Sequence, residues 1–128
     1  MNMMTAREIF KTAVTMMFGE QADEQDYEPF WLGTLNWILA ENFKTNNALR
    51  ALRGKEPLQN MPLIADMDGE VDYEDEFTRY ILPMGCAGYI YTDDDKGVGA
   101  EYKNKYEFER TQVLEAKYED IESGYVQE

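Results

Sequence analysis

Between Phe77 and Tyr91, apolar positions recur at helical spacing straight across Pro83: Phe77, Ile81, Met84, Gly88 and Tyr91. A proline removes a backbone donor and bends a helix, so a period that survives it describes one kinked helix rather than two strands. Gly85, Ala87 and Gly88 leave this helix a shallow flank on which another helix can lie close. Acid fences both ends. Asp72 is placed to cap the helix, with Glu74, Asp75 and Glu76 in the first turn, where the helix dipole favours carboxylates. Asp93, Asp94 and Asp95 close the far end.

The same period runs through the rest of the chain. Thr5 and Glu8 have the spacing of a capping box ahead of Ile9, Phe10, Ala13, Val14, Met17 and Phe18, and Gly19 is expected to end this first helix. An acidic linker over 20–29 leads to a second helix, with Pro29 in its first turn. That helix carries Phe30, Trp31, Leu32, Leu35, Trp37, Ile38, Leu39 and Phe43, apolar almost all round, and is expected to be the most buried. A short helix at Asn47–Arg53, closed by Gly54, and an irregular connection marked by Pro57 and Pro62 follow. Asp94 or Asp95 caps a fourth helix bearing Val98, Tyr102, Tyr106, Val113 and Leu114, expected to end near Lys117, with 118–128 a frayed tail. No strand of useful length alternates. The expectation is an all-α bundle of about four main helices, one domain of 128 residues, with the third helix kinked at Pro83.

The chain has no histidine, which removes Ser-His-Asp and Cys-His catalysis and histidine metal sites. Cys86, its one cysteine, excludes an intramolecular disulfide and reads as a small core residue beside Gly85. No phosphate-binding loop is present: "GCAG" and "GVG" are too short. The acids around Gly69 suggest a calcium loop, but counting from Asp66 the glycine falls at the fourth position rather than the sixth, and a turn at Asp68-Gly69 explains the same residues. An all-helical magnesium-dependent nucleotide pyrophosphatase needs paired carboxylates on one helix face. Glu20/Asp23 and Glu119/Glu122 fall at expected helix ends, and Glu41 stands alone, so no enzyme, cofactor or metal site is expected.

The net charge is −14, and it is placed unevenly. Residues 1–64 carry six basic and eight acidic side chains; residues 65–128 carry six and eighteen. Seven acids and no base lie between Asp66 and Glu76: Asp66, Asp68, Glu70, Asp72, Glu74, Asp75 and Glu76. Such a surface does not hold nucleic acid by neutralising phosphates; it repels them, meets a basic partner, or serves solubility. Tyr80, Tyr89, Tyr91, Tyr102, Tyr106 and Tyr118 supply either core boundaries or an interaction surface, and their concentration on the last two helices leans toward the surface. The first residues lack a signal-peptide layout, and no apolar run is long enough to span a bilayer, so a soluble protein is expected, with no membrane partner.

Four stretches together resemble a family of small tailed-phage and prophage proteins called head–tail connectors, adaptors or head-completion proteins. These are "TAREIF", "YEPF…LNWILAENFKTNNALRALRGKEPL", "DGEVDYEDEFTRYILPMGCAGYIYTDDD" and the tyrosine-rich last helix, from Thr5 to about Tyr118. The resemblance implies a structural virion protein, made in the bacterial host cytoplasm. About a dozen copies would form a ring beneath the portal by head-to-tail contacts, extending the DNA channel in the virion neck. It implies that acids of Asp66–Glu76 or Asp93–Asp95 line the channel, letting DNA pass without tight binding, or meet a neighbouring ring. Arg50, Arg53, Lys55 and the mixed charges of the last helix then become candidates for contacts with other subunits, the portal, or neighbouring neck and tail proteins. The alternatives are an acidic DNA mimic that occupies a host protein and, further off, the carboxylate pyrophosphatase.

Overall fold

The computed structural model describes residues 3–17 and 21–126, with side chains described at 3–17, 25–92 and 95–115. In chain order the elements are β1 (Met4–Thr5), α1 (Ala6–Met16), α2 (Gln21–Leu52), β2 (Glu70–Val71), α3 (Leu82–Asp94) and α4 (Lys96–Val126). Helices dominate, and the described residues add only a two-stranded antiparallel ribbon, with Met4 opposite Val71 and Thr5 opposite Glu70. The ribbon seats the start of α1. Ala6 N–H donates to the Gly69 carbonyl at 2.9 Å and Arg7 N–H to that of Met67 at 2.8 Å, satisfying two donors that a first turn leaves open. The capping box is present: Glu8 N–H donates to Thr5 Oγ1 at 3.2 Å, and Thr5 N–H donates to Glu8 Oε1 at 3.0 Å.

The core forms where the apolar stripes meet. Ile9, Phe10, Ala13 and Val14 of α1 pack with Trp31, Leu35, Ile38 and Leu39 of α2 and Leu82, Met84, Cys86, Ala87 and Ile90 of α3, all buried. The Phe10 and Trp31 rings lie 5.0 Å apart, tilted by 46°. Aromatic polar tips close backbone gaps. Trp31 Nε1–H donates to the Ala6 carbonyl at 3.0 Å and Tyr73 O–H to that of Leu39 at 2.6 Å. Tyr91 O–H donates to the Met17 carbonyl at 2.9 Å, and Tyr102 O–H to that of Met16. Two tyrosines thus cap the last turn of α1, which has no basic residue of its own.

Four expectations need correction. The linker over 20–29 is helical: α2 begins at Gln21, and Pro29 lies inside it, on an exposed face where water can serve the carbonyl that lost its donor. Asn47–Arg53 is no separate helix but the end of the same 32-residue α2. Asp72 is not the cap of the third helical segment. The Glu74 carbonyl takes that place, accepting from Phe77 N–H at 2.8 Å and Thr78 N–H at 3.2 Å. Finally, α4 continues past Lys117 to Val126. Gly19, expected to end α1, lies outside the described residues; the α1 cap is Met17.

The irregularity at Pro83 takes the form of a π-helical stretch, Phe77–Ile81, in which Leu82 N–H reaches back five residues to the Phe77 carbonyl. Proline then occupies the first turn of the regular α3, where a missing donor matters least. On the shallow flank, α4 lies close against α3. A methyl on Gly88 would come within 3.0 Å of the Lys103 backbone nitrogen, and one on Gly99 within 2.9 Å of the Thr92 Cα.

The connection after α2 is irregular but ordered by two asparagines. Asn36 Oδ1 accepts from Ile64 N–H at 2.8 Å while its Nδ2 donates to the Ile64 carbonyl at 3.0 Å. Three turns on, Asn47 does the same for Leu58, at 2.8 and 3.2 Å. An amide can replace the donor and acceptor of a neighbouring strand, so the segment 58–64 lies along α2 as if paired in a sheet. Asn36→Ala is expected to lower stability by about 1–2 kcal/mol and to speed exchange of the Ile64 amide selectively. Urea denaturation and amide exchange by NMR check both.

Candidate functional site

The carboxyl end of α2 builds a charged cluster. Gly54, at φ 74°, lets the helix end in a turn that Gly54 N–H and Lys55 N–H close by donating to the Ala51 and Arg50 carbonyls, at 3.0 and 2.9 Å. That turn presents Arg50, Arg53 and Lys55 together, at the helix end that favours cations. Glu74, only 5% exposed, sits among them. Its carboxylate receives Arg53 Nη1 at 2.9 Å and Lys55 Nζ at 3.0 Å, with Arg50 Nη1 at 3.5 Å. Arg53 also pairs with Glu76, and Arg50 lies 3.8 Å from Asp72. Glu74 N–H in turn donates to Oδ1 of the buried Asn46 at 2.9 Å.

Electrostatics follow from this arrangement. Burial pushes the Glu74 carboxyl up, but hydrogen bonds from Arg53 and Lys55 outweigh it and hold the group below the ordinary carboxylate value. The Glu76 hydrogen bond keeps the Arg53 guanidinium charged even more firmly than usual, with Glu74 adding to the effect. Beside the cluster lies a cleft of about 250 Å³ lined by Met3, Met4, Arg50, Lys55, Asp72 and Thr78, among others. Every cation on its wall already faces a carboxylate of the same chain, so the cluster ties the 70–76 segment to α2.

The site candidates therefore divide. Arg50, Arg53 and Lys55 join Asp72, Glu74 and Glu76 in this internal cluster. Asp66, Asp68, Glu70 and Asp75 are exposed. Of these, Asp68 lies 3.5 Å from Arg7, and Asp66 shapes a turn by accepting from Asp68 N–H at 2.9 Å. Asp95 is exposed too and caps α4, accepting from Gly97 N–H at 3.0 Å and Val98 N–H at 3.2 Å. The side chains of Asp93 and Asp94 lie outside the described residues, as do those of Glu20, Asp23, Glu119 and Glu122. Among the described residues no group of three or more acids or cysteines is placed to hold a metal. Cys86 is fully buried, and burial pushes its thiol pKa well up, which keeps it an inert core residue. No helix among the described residues is long and apolar enough to cross a membrane.

The tyrosines split as well. Tyr106 is buried between helices: its hydroxyl donates to Glu41 Oε1 and accepts from Asn42 Nδ2, both at 2.8 Å. Burial, then the Glu41 carboxylate, push its pKa up. Tyr91 and Tyr102 stack at the core boundary, with rings 6.1 Å apart and 2° from parallel. Tyr80 and Tyr89 are exposed, and the Tyr118 side chain is not described.

Sequence reasoning missed a different surface. Phe30 is 68% exposed and Trp37 63%, so α2 is not buried all round as expected. Met61 and Leu63, on the segment that Asn36 holds, are also exposed, as is Phe108 on α4. The signal was available in the spacing of Phe30, Gly33, Trp37 and Ala40. A helix apolar on every face hides which face meets water. Compared with family models, curated proteins and solved structures, the chain matches none.

Proposed function

We propose that this chain is a structural protein of a tailed-phage or prophage particle, a head–tail connector that rings the DNA channel beneath the portal. The observation that carries this reading is the exposed acidic segment between α2 and α3. Asp66, Asp68, Glu70, Asp72 and Asp75 all reach solvent within one short stretch, while Glu74 and Glu76 anchor it to α2. A tethered, outward-facing acidic strip suits a wall past which DNA must slide, because its carboxylates repel phosphate and the cations beside it, Arg7, Arg50, Arg53 and Lys55, each already face a carboxylate. It suits a DNA mimic less well, since mimicry asks for carboxylates spread along an elongated surface. The exposed Phe30, Trp37 and Phe108 add apolar area of the kind that assembly covers.

The test is the protein content of purified particles from the source strain. Mass spectrometry calibrated on the capsid protein is expected to find about a dozen copies per particle, the number that the family resemblance implies for one ring under the portal. Expression in the lysate with absence from intact particles would sink the reading.

A further inference from the structure

From 31 to 44 the exposed residues of α2 are Gly33, Trp37, Ala40 and Lys44 alone. With Asp26 and Phe30 ahead of them, they form one stripe at 26, 30, 33, 37, 40 and 44, all exposed. The intervals alternate four and three, which is the seam of a coiled coil and not the wider face of a helix packed in a core. The core face of α2 is separate, carrying Trp31, Leu35, Ile38, Leu39, Asn42 and Asn46. Among the described residues the stripe is therefore a second seam with no helix of this chain on it.

Its order of sizes and charges is self-complementary. Laid antiparallel on a copy of itself about Leu35, the stripe sets Phe30 against the partner's Ala40 and Trp37 against the partner's Gly33. Asp26 then meets the partner's Lys44. Each large side chain meets a small one, and each charge meets its opposite. Gly33 has the room this requires, since a methyl built there meets nothing within 4 Å. Lys44 and Asp26 make no ion pair among the described residues, so both are free to form one across the seam.

We infer that two copies of this chain associate in solution through an antiparallel, two-fold pairing of α2 with α2, seated on Phe30, Gly33, Trp37 and Ala40 and registered by Asp26 with Lys44. The inference goes beyond the connector reading and does not rest on it. Particle composition tests that reading; solution association tests this one. Because each copy carries −14, their mutual repulsion opposes the pair, and moderate salt screens it. Pairing is thus expected to tighten as salt rises from low to physiological.

The experiment is sedimentation velocity of the full chain over about 1–100 μM, the range in which modest interfaces show themselves, with acrylamide quenching of tryptophan fluorescence. Trp31 is fully buried, so quenching reports Trp37, and it is expected to fall as the dimer forms. Gly33→Leu leaves the monomer room but obstructs the partner's Trp37, and is expected to weaken the dimer at least about tenfold. Asp26→Lys is expected to weaken it about threefold to tenfold, and the double variant Asp26→Lys/Lys44→Asp to restore it. Phe108→Ser, on the α4 face opposite Tyr106, is expected to change nothing. A monomer throughout the range overturns the inference. So does a dimer indifferent to Gly33→Leu, or one in which the double charge swap fails to recover what the single swap lost.

Discussion

Glu74→Gln is expected to lower stability at pH 7 by about 3 kcal/mol, far more than any other single carboxylate replacement in the acidic segment. The substitution keeps shape and volume but removes the charge on which Arg53, Lys55 and Arg50 converge. The loss sits at the low end for a broken buried pair because the cations keep access to water, with Lys55 46% exposed. The pH dependence separates this cause from a packing defect. The Glu74 pKa is lower in the folded chain than the ordinary 4.5, so its contribution is fully present above that value and disappears as pH falls through the folded value. The unsubstituted protein should therefore lose stability more steeply than Glu74→Gln below about pH 4.5, and the gap between them should narrow toward pH 3. Urea titrations at pH 7, 5, 4 and 3 measure it. A gap that stays constant over this range would mean that the carboxylate charge contributes nothing.

The neighbours of Glu74 show why this cluster was hidden in the sequence. About twenty positions separate Arg53 from Glu74, and no local pattern pairs them. By residue type Asp72 is the better cap; the Glu74 carbonyl takes the place because the buried Asn46 holds the Glu74 N–H and the helix turns directly after it. Local chemistry was readable wherever it closes on itself. The Thr5–Glu8 box, the Gly54 stop and the Asp95 cap each lie within a few residues and appear as expected. The start of α2 was obscured because Pro29 suits a first turn, while Gln21, Ala22, Glu24 and Gln25 are good helix formers that extend the helix backward past it. The exposed stripe was obscured for the opposite reason. Trp31 and Trp37 look alike as residues, and only the helical angle at which the core meets α2 sends one inward and the other to water.

The glycine flank of α3 was legible, and it supports the second large expected effect. Gly85→Ala should cost about 2 kcal/mol even though alanine favours a helix by about 1 kcal/mol over glycine. The added methyl would stand 2.8 Å from two carbons of the Tyr106 ring, well inside contact distance. A ring on a free side chain could swing aside. This one is fixed at its tip, where the hydroxyl donates to Glu41 and accepts from Asn42, and Arg110 lies over its face at 5.4 Å. Arg110 itself donates to the Glu41 carbonyl at 2.7 Å and to Asn42 Oδ1 at 3.2 Å, so moving the ring disturbs the polar contacts that join α2 to α4. Gly33→Ala is the matched control, because it makes the same change inside a helix where the methyl meets nothing within 4 Å. At concentrations that keep the chain monomeric it should stabilise by about 1 kcal/mol. The two substitutions thus have opposite signs from identical chemistry, and denaturant midpoints compared at equal slope read the difference. Equal stabilisation by both would mean that α4 can move away from α3 at no cost, and that the close approach at Gly85 does not hold these helices together.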